Sequence, residues 1–338
     1  MSPTKDKASN AIPGSRVAAI LPCFKSRDQV IDVLGRFGAE VDFIICVDDA
    51  CPQETGKAIT SKVTDPRVEV LFHTQNRGVG AAVCTGYRRA LELGADICVK
   101  IDSDGQMAPE DIPMLIWPIQ SQFADYTKGN RFFNLADVHD MPTVRLLGNA
   151  GLSFLTKLSS GYWNIFDPTN GFTAVQARVL ERMPLDKIAE RYFFESDFLF
   201  RLGTLRACVL DIPIQAVYGE EVSGLDIGSV IAPFLRGNLK NFMKRVFYNY
   251  FLRDFSAASI YILLSFLLLT TGALIGGLFW WRSAMDGVTA TSGQVMFAAL
   301  PVILGVQFSI AFLQYDAERT PSSPIHPLLL KLRGPRRS

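Results

Sequence analysis

The chain contains no Cys-x-x-Cys pair and only three histidines, and its basic and acidic side chains nearly cancel, leaving a net charge of +1 over 338 residues. The first two shortages remove a zinc site. Cys23, Cys46, Cys51, Cys84, Cys98 and Cys208 are scattered, mostly in apolar runs, and read as reduced core residues. The charge balance removes a general nucleic-acid footprint, because no long basic face appears before the C-terminal third. Residues 1–15 lack an apolar stretch, so they read as a polar, disordered tail rather than a signal peptide. Internal repeats and low-complexity linkers are missing too.

Apolar residues are plentiful. They make up 49% of the chain, with a mean hydropathy of +0.19, and they are concentrated in two charge-free runs, about 257–281 and 294–315. Each is long enough to cross a bilayer, and the short connector makes them a transmembrane hairpin over 256–316. Arg236, Lys240, Lys244, Arg245 and Arg253 precede the first run. Arg319, Lys331, Arg333, Arg336 and Arg337 follow the second, in a basic tail at 317–338, whereas the connector carries only Arg282. The imbalance predicts that both ends face the cytoplasm, which makes the protein a multi-pass protein of the inner or plasma membrane. Residues 230–255 interleave aromatic and basic side chains and suit an interfacial amphipathic helix.

Residues 16–229 alternate short apolar runs with helical spacing. Strands are expected at Val17 to Leu21, Asp42 to Val47, Val68 to Phe72 and Ile97 to Ile101. Helices are expected near 27–37, 55–64 and 79–93, and further strands near 125–128, 172–176 and 207–210. This predicts an α/β domain with a mostly parallel sheet. The loops after the first four strands carry Pro22 and Phe24, then Asp48 and Asp49, then Asn76, Gly78 and Gly80, then Asp102-Ser103-Asp104-Gly105-Gln106. Four polar loops at one sheet edge make a nucleotide-sized cleft. Asp102, Asp104 and Gln106 suit a hard divalent cation that leaves positions open for substrate phosphates. Over those five residues alone, a solvated Asp/Gly turn reads the same. Gly78 and Gly80 lack the third glycine of a dinucleotide fingerprint; they read instead as small residues letting a helix N-terminus approach the substrate.

The ordered segments ILPCFKS, VDDACPQET, NRGVGAAVCTGYRRAL, IDSDGQMAPEDI, KGNRF, DPTNGFTAVQARVL and FFESDFLF resemble family 2 glycosyltransferases of the GT-A fold. The resemblance is to the polyisoprenyl-phosphate glycosyltransferases related to dolichol-phosphate mannose synthase, and it runs from about Val17 to the hairpin. It implies a Rossmann-like catalytic domain that moves a hexose from a nucleotide diphosphate sugar, UDP-linked in preference to GDP-mannose, to an undecaprenyl- or dolichyl-type phosphate. It further implies Mg²⁺ or Mn²⁺ on Asp102, Asp104 and Gln106. Donor contacts would come from Pro22, Phe24, Asp48, Asp49, Asn76, Gly78, Gly80, Asp102 and Gln106, and acceptor-phosphate contacts from Arg131 and Arg145. Asp102, Asp104, Arg131, Asp167 and Asp197 are the catalytic candidates, the Asp167 to Gly171 stretch matching a sugar or acceptor loop. The resemblance also implies a homo-oligomer, a tetramer among its forms.

One segment departs from the family. Where many relatives carry an arginine before Gly-x-Ser-Lys, this chain reads Tyr218-Gly219-Glu220-Glu221-Val222-Ser223-Gly224, without the Arg or the Lys. A phosphate monoester acceptor is largely dianionic near neutral pH, so Glu195 and Asp197 read as sugar-binding or positioning groups rather than as a required base. Two other classes fit less well: a processive polysaccharide synthase, whose Gln-x-x-Arg-Trp segment is missing, and a non-catalytic nucleotide-sugar-binding subunit, for which two intact strand-end aspartates are unexpected.

Overall fold

The computed structural model describes residues 14–133, 143–214 and 227–332, and side chains for 14–133, 148–214 and 231–331. The expected N-terminal tail, the departing segment at Tyr218 to Gly224, the Arg145 side chain and the last six residues lie outside them.

The described chain forms two compact units, Met1–Phe242 with Pro321–Ser338, and Met243–Thr320. The first is built on a seven-stranded sheet in the order β3-β2-β1-β4-β6-β5-β7. Its strands are β1 Val17–Cys23, β2 Phe43–Asp48, β3 Val68–Phe72, β4 Ile97–Lys100, β5 Tyr126–Asn130, β6 Thr173–Gln176 and β7 Val209–Pro213. Only β6 runs against its neighbours, pairing antiparallel with β4 and with β5, so β4 and β5 point the same way.

β1, β2 and β4 are nearly continuous apolar runs because both sheet faces are covered there. Ala18, Ile20, Ile45 and Val47 enter one core cluster with α3 (Val79–Glu92) and α7 (Phe194–Leu205). Val17, Ala19, Leu21, Ile44 and Cys46 enter the other, with α1 (Gln29–Leu34) and α4 (Ile112–Gln120). The period of two along each strand thus distributes side chains to two cores rather than to core and water. Close packing has a local requirement: a Cβ on Gly86 of α3 would overlap Ile20 of β1. Further helices of this unit are α2 (Thr55–Lys62), α5 (Thr143–Ser160) and α6 (Ala177–Leu180). All six cysteines are free and buried.

α8 (Ile227–Phe247) occupies the expected juxtamembrane stretch. Its buried Asn238 and Asn241 reach Ser159 and Asp197 within the first unit, at 2.6 and 2.9 Å. Ile231, Leu235, Leu239, Met243 and Phe247 form an exposed apolar row at four-residue spacing, beside a second exposed row of Arg236, Lys240 and Lys244.

The second unit holds α9 (Ala257–Asp286) and α10 (Ser292–Glu318), each longer than the apolar run that predicts it. Only 11% of the most apolar stretch of either helix is buried, which is the reverse of a soluble core helix. The two pack through small residues: Gly272 admits Val302 and Ala298, and Gly305 admits Leu269. Ser265 and Ser309 share a 2.6 Å hydrogen bond between them. Arg245 grips Asp316 with two bonds of 2.6 and 2.9 Å, and the Tyr250 hydroxyl donates to the same carboxylate.

The stretch expected as a basic tail does more than trail. α11 (His326–Leu332) follows a turn whose backbone docks on Asp125, at the start of β5. Asp125 accepts from the Cys208 N–H at 2.7 Å, the Ile325 and His326 N–H groups at 2.8 Å each, and His326 Nδ1 at 2.8 Å. Both side chains are fully buried, and Ile325 and Leu329 pack on the larger core. A carboxylate with no access to water needs such donors, and residues some two hundred positions away supply most of them.

Candidate active site

The carboxyl edge of the sheet carries the strained backbone of the molecule. Among the described residues, three of the five non-glycine residues with positive φ, Lys25, Ala50 and Glu54, lie in the loops after β1 and β2, a conformation that the surrounding structure must hold in place. Cross-links between loops do so. The Lys25 N–H donates to Cys51 Sγ at 3.0 Å. Ser103 donates to the Pro22 carbonyl at 2.8 Å and contacts the buried Ser26 hydroxyl at 2.7 Å. The acidic turn is therefore bolted to the β1 loop, and Gly105, at φ +80°, closes it.

Asp48 and Asp49 are in place but occupied. Asp48 accepts from Cys51 N–H and Gly56 N–H at 2.7 and 2.6 Å, holding the start of α2. Asp49 accepts from the N–H groups of Arg77 and Gly78 at 2.9 and 2.6 Å and from His73 Nδ1 at 2.7 Å, which joins the β2 and β3 loops. The room at Gly78 and Gly80 is filled by the protein: Cβ atoms there would meet the Glu190 and Ala189 carbonyls. The Glu190 carbonyl also accepts the Ala81 N–H at 3.1 Å. On the Cβ side of both glycines the start of α3 thus packs against chain. Asn76 and Gln106 are exposed, and Phe24 is half-exposed beneath Lys25.

Asp102 and Asp104 follow β4 at the edge, partly exposed. Asp104 accepts from the Gln106 N–H at 3.0 Å. Asp102 accepts from Lys100 Nζ at 2.9 Å, and the same Nζ lies 3.4 Å from Glu195 of α7. Lys100 is 1% exposed. Burial works against its charge, yet Asp102 and Glu195 outweigh burial and leave its pKa above the usual lysine value.

A second buried lysine, Lys128 of β5, donates to the Asn170 carbonyl. Its burial, only partly offset by Asp167 and Glu195, pulls it down to about 8. Arg131 forms a two-bond fork with Asp167, at 2.8 and 3.1 Å, and Asp167 is 1% exposed. The Asp167 to Gly171 loop is thereby held at both ends, and a Cβ on Gly171 would overlap both Lys100 and Asp102. Asp197 stands apart from this group. It accepts from the Ala189 N–H, Arg201 and Asn241 at 3.0, 3.2 and 2.9 Å, tying α7 to α8.

Lys100 and Lys128 escaped the sequence reading although a signal existed: each is a cation inside an otherwise apolar or neutral strand, and a buried charge demands partners. The serine bolt left none, because two hydroxyls meeting across seventy-odd residues have no local pattern.

Among the described residues no cluster of three or more His, Cys, Asp or Glu side chains could hold a metal. Two strand-end carboxylates alone nonetheless suit Mg²⁺ or Mn²⁺, which keep most positions for water and substrate phosphate.

The profile of Glycosyl transferase family 2 matches residues 19–183, which run from within β1 to just past α6 and contain the loops after β1 to β4 and the Asp167 to Gly171 loop. An N-acetylglucosaminyltransferase of Methanococcus voltae, named for UDP-N-acetylglucosamine and dolichyl phosphate, is 32% identical over 60% of this chain and 85% of its own. The chain belongs to glycosyltransferase family 2. The undecaprenyl-phosphate mannosyltransferase of Micrococcus luteus is likewise 32% identical, over 66% of this chain and 94% of its own. Polyprenol monophosphomannose synthase of Mycolicibacterium smegmatis is 30% identical over 60% and 77%. These matches are narrower than the near-full-length resemblance that the motifs suggest. Glucosyl-3-phosphoglycerate synthase of Mycobacterium tuberculosis, solved with Mn²⁺ and UDP, shares the fold at a TM-score of 0.53 and 16% identity, over 69% of this chain and 78% of its own. This family 2 glycosyltransferase therefore has a GT-A sheet, with two apolar helices following it.

Proposed function

We propose that the enzyme moves a hexose from a nucleotide diphosphate sugar to the phosphate of a polyprenyl lipid, with inversion at the anomeric carbon. The observation that carries this is the pair Asp102 and Asp104, partly exposed at the sheet edge, whereas the neighbouring Asp48 and Asp49 are buried. Of the three relatives named above, two are named for mannose and one for N-acetylglucosamine, while all three are named for a polyprenyl-type lipid, which favours that acceptor class over any one donor.

Asp102 and Asp104 would hold Mg²⁺ or Mn²⁺ with the donor diphosphate, and the ion would neutralise charge on the departing group. The chain's own part is placement. Lys100 and Glu195 fix Asp102, while Arg131 and Lys128 fix the Asp167 to Gly171 loop beside it. A dianionic phosphate attacks without surrendering a proton, so no base is required. Arg131 forks onto Asp167, and in this reading it is the guanidinium that contacts the acceptor phosphate.

Membrane placement follows from α9 and α10. The chain leaves the first unit before the hairpin and rejoins it at Ile325 and His326, which supports an even number of crossings; the Lys and Arg imbalance assigns the cytoplasmic side. α8 would lie at the headgroups with its apolar row in lipid.

The test is incubation of the purified full chain and Mg²⁺ or Mn²⁺ with polyprenyl phosphate and a panel of UDP- and GDP-sugars, scoring sugar on lipid. Transfer to water alone, or none from any donor, defeats the reading. A single cysteine in the α9–α10 connector should react with an impermeant thiol reagent outside intact cells; protection there reverses the topology.

A further inference from the structure

We infer that Lys100 and Glu195 form a positioning pair that sets the Asp102 carboxylate for the cation and ties it to α7. The inference rests on the reading that the acidic turn holds the cation.

Lys100 ends β4 with its ammonium out of water, between Asp102 Oδ1 at 2.9 Å and Glu195 Oε1 at 3.4 Å. Asp102 keeps 30% of its side chain exposed, so one oxygen is held from beneath while the group still faces the cleft. Glu195, 14% exposed, sits in the first turn of α7. Gly171 closes a second side of Asp102, since any side chain there would overlap both Lys100 Nζ and Asp102 Oδ2. A carboxylate confined on two sides has few rotamers left, and a cation then binds without first ordering it. Charge alone argues the other way, because an ammonium beside a carboxylate repels a divalent cation. The two effects have opposite signs, which makes the role measurable.

The experiment measures Mn²⁺ affinity by electron paramagnetic resonance on the full chain in detergent, with saturating UDP and, separately, GDP. Lys100→Met and Glu195→Gln should each weaken Mn²⁺ binding about tenfold. The double variant should be no weaker than Lys100→Met alone, because Glu195 acts through the lysine. Tighter Mn²⁺ binding by Lys100→Met, or a Glu195→Gln effect that persists in the Lys100→Met background, overturns the inference. Should Lys100→Met fail to fold, unchanged affinity in Glu195→Gln does so by itself. Wild-type protein that binds no Mn²⁺ with either nucleotide removes the cation reading, and this inference with it; wild-type binding with an unaffected Glu195→Gln removes the inference alone.

Discussion

Asp102 and Asp125 stand at opposite ends of two like-directed strands, separated in the sheet by β6, and meet opposite fates. Asp102 follows β4 and stays partly open over a buried lysine. Asp125 precedes β5 and is sealed by three backbone N–H groups and His326. Both are strand-end aspartates, yet one end of the sheet is closed by the chain's own return while the other is bolted loop to loop and left facing outward. A carboxylate with every lone pair satisfied stabilises the fold; one held on a single oxygen retains capacity for a ligand. The difference between the sealed and the open acid here is the number of donors the rest of the chain delivers.

Substitutions at the two ends should separate these roles. Asp104→Asn, at the open end, should cut sugar transfer to lipid by about 10²–10³-fold while the melting temperature stays within a degree or two of wild type. Near-normal turnover in this variant, measured with excess Mg²⁺, would break the comparison outright. Asp125→Ala, at the closed end, should do the reverse. Its orphaned N–H groups and stranded imidazole should cost about 3 kcal/mol, seen as a lower apparent Tm, with donor affinity of the folded fraction unchanged. Equal loss of affinity would show that the two ends are coupled rather than separate.

Asp197→Asn sharpens the boundary between the two classes. Its carboxylate is 5% exposed and already accepts from Ala189, Arg201 and Asn241, which places it with Asp125 rather than with Asp102. The variant should keep turnover within about tenfold of wild type and lose stability instead; a collapse of turnover with donor binding intact would restore it as a base.

Asp211 tests the smallest effect. It is buried, accepts from the Phe166 N–H and Asn130, and burial raises its pKa from 3.8 to about 6. The folded state therefore holds its proton to higher pH than the unfolded chain does. Its contribution to stability is present at low pH and is lost as pH rises from about 4 through 6. Asp211→Asn should be nearly neutral in Tm at pH 5 and relatively more stable than wild type at pH 8. A Tm difference that does not change with pH would refute the shift.

Much of this was legible in the residues. Continuous apolar runs announced buried parallel strands, charge-free stretches announced α9 and α10, and the acidic turn after β4 announced two partly exposed carboxylates at the sheet edge, because each is a local consequence of burial, length or spacing. What local pattern could not express is who meets whom. Whether Asp49 is free or filled depends on backbone donors at Arg77 and Gly78; whether Gly80 admits a substrate or Ala189 depends on a turn a hundred residues later. Whether residues 325–331 trail or seal the catalytic unit depends on a carboxylate two hundred positions upstream. Hydrophobic periodicity is written along the chain, so sequence alone determined the layers and the candidate edge. Satisfaction of buried charge is settled between distant segments in three dimensions, so only the tertiary structure decided which aspartates remain available for chemistry.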